Sequence, residues 1–147
     1  MLFTEESKNL WDIASNNTND TDFVYCRKII GADTLTFDVK GDWSSVDIVG
    51  KFKLKFNNHT YSYDKNTNTW SDEKGVVCND VSMTDENGNA VNFVEYAKYD
   101  SGYKWTTVTI SNITTHLEIQ LMASAAPSYI LPMYVRNFVW INSEYVA

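Results

Sequence analysis

An all-β fold, a single-domain antiparallel β-sandwich spanning residues 1–147, is what this sequence predicts, and three observations predict it. The first is alternation in the last third of the chain: in 117–121, Leu117, Ile119 and Leu121 share one face while Glu118 and Gln120 take the other. A period of two marks a strand with one buried side. The second is composition: 14% of residues are aromatic and Asn is frequent, while the helix formers Ala and Leu are scarce. The third is spacing, because strand-like runs recur at short intervals with turn signals between them, not as alternating strand and helix units.

Taken in order, Thr4 is placed to cap a short N-terminal helix, with Glu5 and Glu6 in its first turn and Leu10, Trp11 and Ile13 as its apolar stripe. Residues 15–22, rich in Asn, Thr and Asp, read as a loop. Strands are expected over 23–30, 34–40, 46–56, 59–64, 76–83 and 91–98, then over 104–110, 115–122 and 134–141. The 46–56 and 59–64 strands form a hairpin about Asn57-Asn58, since Asn tolerates positive φ. That register sets Phe56 opposite His59, Leu54 opposite Tyr61 and Phe52 opposite Tyr63 on one face. Lys55, Lys53 and Lys51 fall opposite Thr60, Ser62 and Asp64 on the other.

A chain of 147 residues is long enough for one domain with a real core. Its net charge of −7 opposes a nucleic-acid partner, which needs a basic stripe. Acidic Thr4-Glu5-Glu6 follows Met1-Leu2-Phe3 where a secretory signal needs a basic and then an apolar run, so the chain reads as a complete gene product without one. The longest uncharged stretch, 119–135, contains Pro127 and Pro132, which argues against membrane insertion. Cys26 and Cys78 sit inside strand-like runs and read as buried free thiols, with pairing as the alternative.

Four short segments carry a family resemblance. Asn9-Leu10-Trp11-Asp12 opens the chain, Leu35-Thr36-Phe37-Asp38-Val39-Lys40-Gly41 follows, and Lys104-Trp105-Thr106-Thr107-Val108-Thr109-Ile110 and Tyr134-Val135-Arg136-Asn137-Phe138 come near the end. Their order resembles the jelly-roll carbohydrate-binding modules of bacterial polysaccharide-degrading enzymes, within the galactose-binding-like group. The resemblance implies a jelly roll and a binding role. It also extends to accessory proteins of phage tails and capsids. Where the family's last strand commonly carries an Asp that helps hold a structural calcium, this chain has Arg136, which puts that calcium site in question.

Enzyme chemistry finds little support. His59 and His116 are the only histidines, each within a strand pattern and outside any metal-ligand array. No Gly-x-Ser-x-Gly elbow is present. A Cys–His pair stays open, because such partners meet in space. Asp64-Lys65-Asn66-Thr67-Asn68 resembles the start of a calcium loop but lacks its glycine and closing Glu, and 85–89 reads as a hairpin turn. No metal or other cofactor is expected. Ligand binding by aromatics fits better: Trp43, Trp70, Tyr99 and Tyr103 fall in or beside loops, near Asn66, Asn68, Asp72 and Asp100. There they could lie flat under a sugar ring, or Trp43 and Trp70 could fold back as lids on the sandwich. Trp105 and Trp140 are expected in the core. The apolar 123–132 connection is a contact candidate if exposed.

The expected role is therefore a non-catalytic structural or adhesion module. By the resemblance it is a phage virion accessory protein, a capsid decoration or tail-associated chain contacting other virion proteins. The alternative is a free-standing carbohydrate-binding module that recognises a polysaccharide at a cell surface.

Overall fold

The structure, a computed structural model, describes residues 8–9, 24–41, 49–97, 104–125, 129–131 and 133–144. Among these residues the chain forms β1 (Lys8–Asn9), β2 (Val24–Cys26), β3 (Thr34–Gly41), β4 (Val49–Phe56), β5 (His59–Asp64), β6 (Thr69–Ser71) and β7 (Val81–Thr84). One helical turn, α1 (Phe93–Ala97), precedes β8 (Thr106–Ile110), β9 (Leu117–Ala125), β10 (Tyr129–Leu131) and β11 (Met133–Ile141). Two antiparallel sheets result, ordered β1-β11-β3-β8-β7 and β10-β9-β4-β5-β6, with β2 also paired to β9.

The period of two decides what each strand buries. Leu35, Phe37 and Val39 of β3 point inward beside Val108 and Ile110 of β8. Leu54 and Phe56 of β4 meet them from the other sheet with Leu117 and Ile119 of β9, in one continuous core. Leu35, Leu54, Ile110, Leu117 and Ile119 are all 0% exposed, each worth roughly 1.5–3 kcal/mol of burial. The Phe37 and Phe138 rings stack at 4.8 Å, and Phe93 meets Phe52 edge-on at 5.5 Å.

The β4–β5 hairpin has the expected register, Phe56 to His59 and Leu54 to Tyr61, turning on Asn57 (φ 54°) and Asn58 (φ 65°). Positive φ at both central residues matches the twist of the flanking strands. Two further loops share one geometry. In each an Asp N–H reaches the carbonyl four residues on and a Gly N–H returns to the Asp carbonyl, in 72–76 and again in 85–89. The carboxylates of Asp72 and Asp85 each accept two backbone N–H groups of their own loop, and Asp64 accepts that of Asn66. These side chains close turns.

Four expectations change. Lys8 and Asn9 are extended and pair with Val135 and Tyr134, so they are not helical; the rest of the N-terminal helix expected from Thr4 lies outside the described residues. The strand expected over 76–83 begins only at Val81, because the 72–76 loop and a bridge from Ser71 to Val77 occupy its first half. Residues 93–97 are helical, not extended. Asn92 Oδ1 accepts the N–H groups of Val94 and Glu95, a side-chain cap that starts a helix and buries the adjacent Phe93 and Val94 together. Two neighbouring inward residues suit a helix and not a strand. Finally, the connection expected over 123–132 is mostly sheet, since β9 runs to Ala125 and β10 pairs back along it.

One irregularity positions the site. The β11–β3 register shifts between Arg136 and Val139, and Asn137 has φ 57°. This bulge lets Val135 and Phe138 both face inward although they are three positions apart, and leaves Arg136 on the outer face.

Candidate functional site

The outer face of the β11-β3-β8-β7 sheet is built by the residues the core rejects. Because Val108 and Ile110 point inward, Trp105 and Thr107 take the outward parity, opposite the inward Thr106. The same rule on β3 sends Asp38 and Lys40 outward, and the bulge adds Arg136. Register then aligns Arg136, Asp38, Thr107 and Thr84 in one row across the sheet.

Asp38 is the hub. Its Oδ1 accepts the Thr107 hydroxyl (2.8 Å), and its Oδ2 accepts Arg136 Nε (3.1 Å) and Asn137 Nδ2 (3.0 Å). The carboxylate thus holds Arg136 in place, and the guanidinium lies 4.1 Å from the centre of the Trp105 ring. Lys40 Nζ also approaches that ring, at 4.7 Å. Cations prefer the electron-rich face of an indole, at about 0.5–2 kcal/mol each. Lys104 Nζ does the same over the Tyr96 ring at 5.3 Å.

Between these groups lies a cleft of ≈ 330 Å³, with Trp105 and Tyr96 as aromatic walls and Asp38, Glu86, Lys104 and Arg136 as polar ones. Loss of water, and then the nearby Asp85 and Glu86 charges, raise the Tyr96 hydroxyl above the usual phenol range, so it stays a neutral hydrogen-bonding group. Among the described residues, neither a histidine nor a cysteine lines this cleft. Both Asp38 oxygens are committed to neighbouring donors. The arrangement suits contact with a ligand carrying an apolar face and hydroxyls.

Of the aromatic platforms expected from sequence, Trp43, Tyr99 and Tyr103 lie outside the described residues. Trp70 is in the core, 3% exposed, with its ring 5.2 Å from Tyr63, so its indole face is not open to a sugar. Hairpin pairing of Trp70 with Tyr63 turns it inward. Its polar neighbours serve the fold: Asn68 accepts the Tyr63 hydroxyl and donates to the Val91 carbonyl, and Asp72 closes its own loop. Trp105, expected in the core, is instead half-buried on the outer face. Trp140 is half-buried against the core.

A second concavity, ≈ 410 Å³, lies on the opposite sheet and brings His59 and His116 together with Lys55 and Glu118. His59 Nδ1 is 3.0 Å from Glu73 Oε1, while His116 Nδ1 accepts the Lys28 N–H (2.9 Å) and packs on Tyr25. Both cysteines are free thiols. Burial pushes Cys26 up to about 12, and Cys78 shares a hydrogen bond with Tyr61.

Compared with protein-family models, curated proteins and solved structures, the chain matches none of them. No helix among the described residues is long and apolar enough to cross a membrane.

Proposed function

We propose that this chain is a non-catalytic adhesion module of jelly-roll type whose Trp105–Tyr96 cleft binds a saccharide. The observation that carries the reading is an aromatic pair set beside fixed hydrogen-bonding groups, Asp38 and Arg136, where the β11 bulge meets β3. Sugar rings combine apolar C–H faces with hydroxyls, so an indole beside a rigid carboxylate and guanidinium offers both kinds of contact. The jelly-roll reading is supported by nested strand pairing: β3 pairs with β11 in one sheet while β4 and β9, which lie between them in sequence, pair in the other. The test is a glycan array with wild type, Trp105→Ala and Tyr96→Ala. Both substitutions should abolish the strongest signals while leaving the far-ultraviolet spectrum unchanged. Undiminished binding in both variants would remove the cleft from the account.

A second reading, docking on a larger assembly such as a phage virion, is favoured by apolar side chains left in water. Ile30 is 96% exposed, and Val139 and Ile141 stand outward along β11. Such residues could seat against another virion protein. Co-purification with virions, lost on Ile30→Asp plus Ile141→Asp, would favour this reading over the first.

A further inference from the structure

On the sheet opposite the cleft, the first residue of β5 meets the loop that follows β6. His59 Nδ1 and the carboxylates of Asp72 and Glu73 lie with their ligating atoms within 4.8 Å of one another. We propose that these three residues form a binding site for a transition-metal dication of the zinc type.

Three features support this. The first is the donor set. One imidazole nitrogen and two carboxylates suit zinc, cobalt or nickel, whereas calcium and magnesium favour all-oxygen sites. The second is the scaffold. The Asp72 Oδ1 is held by the N–H groups of Lys74 and Val76 (both 2.9 Å), and the Asp72 N–H by the Val76 carbonyl. Glu73 Oε2 accepts the Thr60 N–H at 3.3 Å, which ties the loop to β5. The loop is therefore fixed before any ion arrives, so little ordering is left for binding to cost. The third is access. His59 is also on the wall of the ≈ 410 Å³ concavity, leaving room on the open side for water or a ligand oxygen to complete the coordination.

Distances fit with small movements. His59 and Glu73 already sit 3.0 Å apart, a little inside the spacing of roughly 3.3–3.6 Å between neighbouring ligands that metal–ligand bonds of about 2.0–2.2 Å give in a tetrahedron. The ligating atoms all lie within 4.8 Å of one another, so modest side-chain shifts about the fixed loop complete the site.

The test uses the untagged, chelator-stripped full chain. Cobalt(II) is added while its visible absorption is followed, and zinc is titrated by calorimetry. One equivalent of each metal should bind saturably. His59→Ala and Glu73→Gln should each weaken zinc by roughly tenfold or more, since even losing a ligand's supporting partner costs about 10–100-fold. His116→Ala, which alters the same concavity outside the triad, should leave the affinity unchanged. Absence of saturable binding overturns the site, as does binding indifferent to His59→Ala or equally sensitive to His116→Ala. None of these results depends on whether the Trp105 cleft takes a saccharide.

Discussion

Burial pushes the Cys26 thiol up to about 12, because the thiolate would sit in the core at 1% exposure without water to solvate it. Cys78 is half-buried; desolvation raises it too, but the Tyr61 hydroxyl and backbone N–H groups partly offset that. A thiol reagent at pH 8 should therefore modify Cys78 first and leave Cys26 untouched until denaturant is added. Equal native rates for both would contradict the placement of Cys26. That Cys26 is a buried packing residue of a strand was legible in the sequence, as was the inward face of Leu117 and Ile119. Cys78, expected buried in a strand, lies half-buried in the connection before β7. Trp105 was legible in principle and misread. Val108 and Ile110 are the apolar members of their strand, so a residue of odd number belongs outside, yet its size suggested the core. Trp70 was open to two readings, a platform or a lid on the sandwich, and pairing with Tyr63 turns it inward, against the first.

At the scale of elements, local chemistry set what could be read. The β4–β5 hairpin follows from Asn57-Asn58 and alternating flanks, and its register is as expected. The helical turn α1 carries an equally local signal, Asn92 three residues before Glu95 with adjacent Phe93 and Val94. Asn92 also donates to the Lys65 carbonyl, fastening α1 to the 65–68 turn. Asn92→Ala should thus lower stability by about 1–2 kcal/mol in urea denaturation, combining a lost cap with a lost tie. A change within error would mean α1 is held by Phe93 burial alone. The β11 bulge lay beyond local reading. Asn137 gives a hint of positive φ, but only pairing with β3 reveals that inward parity switches there and that Arg136 reaches Asp38.

Across the whole molecule, the core and the surfaces divide the labour. One shared core holds the two sheets in register, and the outward parity of β3, β8 and β11 assembles Asp38, Arg136 and Trp105 from segments far apart in sequence. The His59, Asp72 and Glu73 group likewise forms only when the β5–β6 hairpin brings its ends together. Long-range assembly is why strand content could be read from the chain while neither site could. Under the proposed reading, the tie of Thr107 and Arg136 to Asp38 limits the entropy lost when that face meets a ligand. The most direct test is a heteronuclear NMR titration of the protein with the oligosaccharide selected on the array. Amide shifts should concentrate on Asp38, Lys40, Trp105, Thr107 and Arg136. Shifts confined to the Lys55–His59–His116 face, or spread without focus over both sheets, would contradict the assignment.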